Sequence, residues 1–229
     1  MIFENDVRSK LSQDKTIYFS CGTKGSGKTQ LFYGTKTEDG IVQKSIKEAV
    51  KSAGSGVEVQ IIQFFTKGQY DLLTALEENK EEFSLDKVSG QPSTIMSKYL
   101  DRSHTLGEDR IKLQRKLREK KVTLIENPRT RVSTEIKGCK WHKLETESEA
   151  NRLISILSRY IHDKNLFVNS SIIVNLKISD RIHTFIDLSR EEKISNAEVY
   201  SIEQYLKNRN KTLINRNARF IHHLTKNAS

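Results

Sequence analysis

Cysteine is scarce, with only Cys21 and Cys139 in 229 residues, far apart and without His or Cys at metal-ligand spacing. That excludes a disulfide framework and a Cys/His zinc cluster, and it leads us to expect reduced thiols, as in a cytosolic protein. Long apolar runs are missing, so a membrane span is not expected. Sustained heptads and internal repeats are missing too, which argues against a coiled coil or a solenoid. The opening Met-Ile-Phe-Glu-Asn-Asp has neither a basic start nor an apolar core, so it is not read as a signal peptide.

What the chain does have is charge. Charged residues make up 30% and hydrophobic residues 35%, more polar than an average domain yet not a disordered composition. The formal net charge is +10. It is concentrated between Arg110 and Lys143, where twelve Lys or Arg stand against Glu119, Glu126 and Glu135, a net +9. Such a stretch suits a polyanionic partner: nucleic acid, an acidic membrane or an acidic protein polymer. A solvated face is the alternative.

Residues 22–29 read Gly-Thr-Lys-Gly-Ser-Gly-Lys-Thr. This is the spacing of a phosphate-binding loop, with Gly22, four residues, then Gly27, Lys28 and Thr29. Gly22, Gly25 and Gly27 let backbone N–H groups close around phosphate oxygens, and Thr23, Lys24 and Ser26 complete the turn. Lys28 is placed to reach the outer phosphates and Thr29 to offer a hydroxyl to Mg²⁺. A strand candidate at Thr16–Cys21 precedes the loop, and a short helix from Lys28 through Tyr33 comes after it.

Further along, the pattern predicts a helix over Gly40–Ala53, a strand over Val57–Phe65 and a turn at Lys67-Gly68. Residues 77–107 read as loop-rich, 108–120 as a charged helix and Val122–Ile125 as a short strand. Glu147–Ile161 carries apolar residues at 150, 153, 154, 157 and 161, an amphipathic helix. Ile172–Ile178 and His183–Leu188 form a hairpin through Ser179-Asp180-Arg181. Val199–Leu206 and Asn217–Leu224 read as helices. The expected class is a P-loop α/β fold in a single domain over 1–229, with a charged insertion at about 75–120.

Several segments, in order, resemble the kinesin motor domain. Gly22–Thr29 is similar to the family's GQTGSGKT, and Gly40–Ile46 to the opening of its next helix. Gln63–Leu73 is similar to EIYNExxYDLL, and Thr123–Pro128 to the strand ending in IREDP. Ile136–Cys139 and the helix at 147–161 resemble the family's VxGL segment and its adjoining helix. Asp187–Glu192 resembles the DLAGSE switch, and Arg216–Leu224 the RNSKLTxLL helix. The resemblance spans nearly the whole chain. It implies a kinesin-motor-like mixed central sheet flanked by helices.

The departures are specific. The family's first strands, with their adenine-packing Arg-x-Arg-Pro, and its last strand have no counterpart here. The expected sheet therefore lacks both, leaving the P-loop strand at an edge. The family's SSRSH switch falls on Phe167–Ser171, putting Val168 and Asn169 where serine and arginine belong. A gapped alignment instead supplies Ser170-Ser171 as the serine pair, still without the arginine. In the second switch Arg190 replaces the glycine that senses the terminal phosphate, and Glu192 loses its salt-bridge partner. Phosphoryl transfer rests on positioning and electrostatics, so such losses reduce turnover.

By resemblance, then, the chain is a microtubule-binding protein that holds ATP or ADP with Mg²⁺ and hydrolyses it weakly or not at all. An active microtubule-stimulated motor with divergent switches is the alternative, and a degenerate product a third reading. Asp187 and Glu192 are the candidate catalytic residues, and Thr29 the Mg²⁺ contact. Lys137, Lys140, Lys143, Lys207, Arg209, Lys211, Arg216 and Arg219 are the candidate microtubule contacts. The implied partners are tubulin and a kinesin heavy chain or other motor subunit, with neither membrane nor nucleic acid. The implied place is the cytoplasmic microtubule cytoskeleton or spindle. His222-His223 reads as surface and Trp141 as a packing anchor.

Overall fold

Val57–Phe65 alternates apolar side chains toward two faces, and a strand that does so belongs inside a sheet. In the computed structural model it is β2, the centre of the fold. The structure describes Leu11 and residues 16–20, 26–35, 38–53, 56–65, 68–78, 115–126, 133–162 and 170–188. The predicted helices at 199–206 and 217–224 lie outside them.

The strands are β1 (Thr16–Ser20), β2, β3 (Gly68–Asp71), β4 (Lys121–Glu126), β5 (Ser133–Lys137), β6 (His142–Leu144), β7 (Ser170–Ile178) and β8 (Arg181–Asp187). They form one eight-stranded sheet in the order β1-β8-β7-β2-β3-β4-β5, with β6 also paired to β2. Among the described residues only β1 and β8 run parallel; the other pairs are antiparallel. The molecule is thus a mixed α/β fold. Among the described residues β8 is the sole strand neighbour of β1, so β1 forms one edge of the sheet and β5 the other.

The helices are α1 (Lys28–Tyr33), α2 (Ile41–Ala53), α3 (Leu72–Glu78) and α4 (Glu147–His162). Residues 115–119 are also helical. All of them bury side chains in one large core against Val57, Val59, Ile61, Val174 and Phe185. On the opposite face Ile62, Phe64, Ile173 and Ile186 form a second, smaller buried cluster. A polar ladder fixes strand register on that second face. Asn175 donates to Gln60 Oε1 (2.9 Å), and Thr184 donates to Asn175 Oδ1 (2.9 Å), across β2, β7 and β8. A one-residue slip would leave these amides unpaired in the interior, at about 1–3 kcal/mol each.

Helix α4 starts where local chemistry directs. The Glu149 N–H donates to Thr146 Oγ1 and the Thr146 N–H to Glu149 Oε2, both at 3.2 Å, a reciprocal cap. The Glu145 N–H, at 2.8 Å from Glu149 Oε2, and then the Thr146 N–H hold the Glu149 carboxyl below the usual carboxylate range. Ala150, Leu153, Ile154, Leu157 and Ile161, the predicted stripe, are all buried. Between α1 and α2 the backbone crosses itself. A Cβ on Gly34 would strike the Glu38 carbonyl, and one on Gly40 the Phe32 carbonyl. Gly34 also has φ 71, a conformation that costs side-chain-bearing residues.

Candidate phosphate site and basic face

The glycine-rich segment joins the end of β1 to the start of α1. Residues 21–25 lie outside the described part, so Gly22, Thr23, Lys24 and Gly25 have no described geometry. Ser26 and Gly27 are exposed, Thr29 is half-buried, and Lys28 is buried as the first residue of α1. Gly27 precedes the helix with φ 82, and its carbonyl accepts the first helical bond from the Leu31 N–H at 2.9 Å.

Three aromatic rings clamp this unit onto the sheet. Tyr18 of β1 stacks on Phe185 of β8 with centroids 4.8 Å apart and planes 3° apart. Phe32 of α1 meets the same Phe185 edge-on at 6.5 Å. Offset and edge-to-face pairs of this kind are favourable beyond the area they bury. Strand β1, helix α1 and β8 are thus joined through one shared ring, Phe185.

Beside the loop, Ser20 and Asp187 are register partners at the C-terminal ends of the parallel pair. Ser20 Oγ donates to Asp187 Oδ1 at 2.7 Å, and both residues are buried. The loop thus leaves β1 next to a buried carboxylate. Thr29 carries a hydroxyl and Asp187 a carboxylate, oxygen donors of the hard type that Mg²⁺ takes. Among the described residues no group of three or more His, Cys, Asp or Glu could hold a metal by itself.

The candidate switch residues fall only in part within the described residues. Val168, Asn169, Arg190 and Glu192 lie outside the described residues. Ser170 and Ser171 open β7, and Ser170 faces inward: Gln63 Nε2 donates to its Oγ at 2.8 Å. Tyr160 of α4 in turn donates to Gln63 Oε1. Burial raises the Tyr160 pKa, which keeps that hydroxyl protonated and donating. Alternation along β7 turns Ser171 to the other face.

The candidate microtubule residues divide similarly. Lys137 ends β5, Lys143 lies on β6 and Lys140 sits between them, all exposed. Lys207, Arg209, Lys211, Arg216 and Arg219 lie outside the described residues. Trp141 is half-buried with Lys177 Nζ 5.9 Å from its ring centroid, in keeping with a packing role.

Sequence reasoning missed the hub that anchors this face. Asp71, 1% exposed, caps α3: its Oδ1 accepts the Thr74 N–H at 3.0 Å. Its Oδ2 accepts the Thr74 hydroxyl at 2.6 Å and the Lys140 N–H at 2.9 Å. Thr74 Oγ1 also lies 3.0 Å from His142 Nε2. Since the hydroxyl proton is given to Asp71, we assign the proton between Thr74 and His142 to the imidazole. Burial, then the Asp71 charge and hydrogen bond, push the Cys139 thiol far up, so this sulfur is protonated and inert. Asp-Leu-Leu-Thr at 71–74 is a capping pattern, the one signal that pointed here.

No helix among the described residues is long and apolar enough to cross a membrane. Neither a protein-family model nor a curated protein matches the chain.

Proposed function

We propose that the chain is a kinesin-like protein that binds ATP or ADP with Mg²⁺ at residues 22–29 and docks on microtubules through its basic surface. The observation that carries the reading is the strand–loop–helix unit. Lys28 opens the helix, and the buried Ser20–Asp187 pair lies at the end of the adjoining parallel strands. In this reading the loop backbone and Lys28 hold the phosphates, while Thr29 and Asp187 hold the metal, which supplies charge neutralisation when bound. Glu192 would serve at the second switch.

Hydrolysis is weak or absent in this proposal, because Val168, Asn169 and Arg190 stand where a hydrolysing site needs serine, arginine and glycine. The protein then acts as a tether on the microtubule cytoskeleton or spindle, alone or beside a motor subunit such as a kinesin heavy chain. An active motor is the second reading, favoured by the intact Lys28, Thr29 and Asp187.

A fluorescent ATP analogue tests the first half: wild type binds and Lys28→Ala does not. Equal affinity in the two proteins would falsify the loop assignment. Microtubule co-sedimentation, run beside an ATPase assay, tests the second half. The tether pellets at low salt whether ATP or ADP is present; brisk turnover stimulated by microtubules assigns the motor instead.

A further inference from the structure

We infer that the helical residues 115–119 and the start of β4 join the β5–β6 segment in one continuous basic docking face for the acidic side of a microtubule. The inference rests on the microtubule reading above and extends it to residues that the family resemblance does not assign.

The two basic stretches are brought together by backbone bonds around Asp71. The Asp71 N–H donates to the Lys120 carbonyl at 2.8 Å, while the Asp71 carboxylate accepts the Lys140 N–H at 2.9 Å. Gly138 packs directly on the Lys121 carbonyl, where a Cβ would collide. Leu117, 2% exposed, pins the helical residues into the main core. The charges are therefore held on a fixed frame and do not ride on a loose tail.

Arg115, Arg118, Lys121, Lys137 and Lys140 are all exposed, with Lys121 and Lys137 on the same side of the β4–β5 pair; Lys143 stands opposite Glu58, turns to the other side of the sheet and is not counted in the face. Lys120 is occupied differently, paired with Glu78 at 2.7 Å. Glu119 is the only acidic residue between 115 and 121. The face is strongly one-signed, as a surface selected by an acidic partner should be. Among the described residues it offers no exposed aromatic for base stacking, since Trp141 is half-buried beside Lys177. That favours a carboxylate-bearing protein surface over single-stranded nucleic acid. The face also lies far from the phosphate loop. Its β4–β5 part is at the opposite sheet edge: β5 is six strand spacings from β1, roughly 29 Å at about 4.8 Å each.

The test compares wild type with Arg115→Glu/Arg118→Glu/Lys121→Glu and a charge-matched control, Lys44→Glu/Lys47→Glu/Lys51→Glu, on α2. Circular dichroism first establishes that all three are folded. Microtubule affinity at low salt is expected to fall by about tenfold in the first variant and far less in the control. Equal losses in the two variants, or no loss in either, overturn this inference and leave the microtubule reading intact. Failure of wild type to pellet with microtubules overturns both. Wild-type binding to a duplex DNA probe that only the first variant loses, without microtubule binding, reassigns the face to nucleic acid.

Discussion

The two edges of the sheet are secured by different physics. At the β1 edge, attachment is aromatic: Tyr18 and Phe32 both pack on Phe185, and the exposed outer face carries Ile17 (37%) and Phe19 (43%). At the β4–β5 edge, attachment runs through a buried carboxylate that gathers α3, Lys140 and Cys139, and the outer face is cationic. The first arrangement rests on ring packing and involves no charge. The second is directional and depends on one ionised group. Charged edges also resist pairing with other chains, whereas an apolar edge invites it.

The largest expected break is at the aromatic edge. Phe185→Ala removes the ring shared by β1 and α1, at a cost of about 3–5 kcal/mol in urea unfolding. Hydrogen exchange should rise at the β1 amides well before those of β4. Simultaneous loss at both edges would show that the sheet opens as one unit.

A smaller break targets the polar edge. Asp71→Ala strips the α3 cap and orphans the Lys140 N–H, together about 2–3 kcal/mol. Cys139 should then react faster with a thiol reagent than in the wild type, because the Asp71 charge is gone and loss of the Lys140 bond loosens the surroundings that bury the sulfur. Unchanged labelling of Cys139 would count against Asp71 as the hub.

The smallest effect is a pH dependence carried by His183 on β8, which is fully buried and, among the described residues, has neither ring nitrogen hydrogen-bonded. Burial, then the nearby Arg181 charge, lower its pKa from the ordinary 6.5. The unfolded chain therefore takes up this proton first as pH falls. The His183 contribution is complete above pH of about 6.5 and declines from there toward the lower folded value. His183→Leu should flatten the denaturation midpoint between pH 7 and 5; an identical slope in the two proteins would remove His183 from the account.

Much of this was legible locally. The α4 stripe and the central strands β2, β7 and β8 announce themselves because each buries a face at its own period. The hairpin at Ser179-Asp180 is evident from two apolar runs separated by polar residues. The parallel pairing of β1 with β8 was not legible, since Ser20 and Asp187 are 167 positions apart and nothing local encodes the match. Strands β5 and β6 were missed because short polar runs such as Ser133–Lys137 and His142–Leu144 carry no clear alternation. Asp71 was missed as a hub because its partner Lys140 is 69 residues distant. Of the candidate site, sequence supplied the loop, and folding supplied the buried serine–carboxylate pair beside it.

The crossing at Gly34 and Gly40 has a bearing on ancestry. Main chain touches main chain there, so even a methyl group is excluded at both positions. Descendants of the same ancestral gene can drift in every surface charge and still keep two glycines six apart shortly after Gly-Lys-Thr. That pair is a search pattern by which diverged kin could be recognised, and kin that lack it would have to link these two helices by a different path.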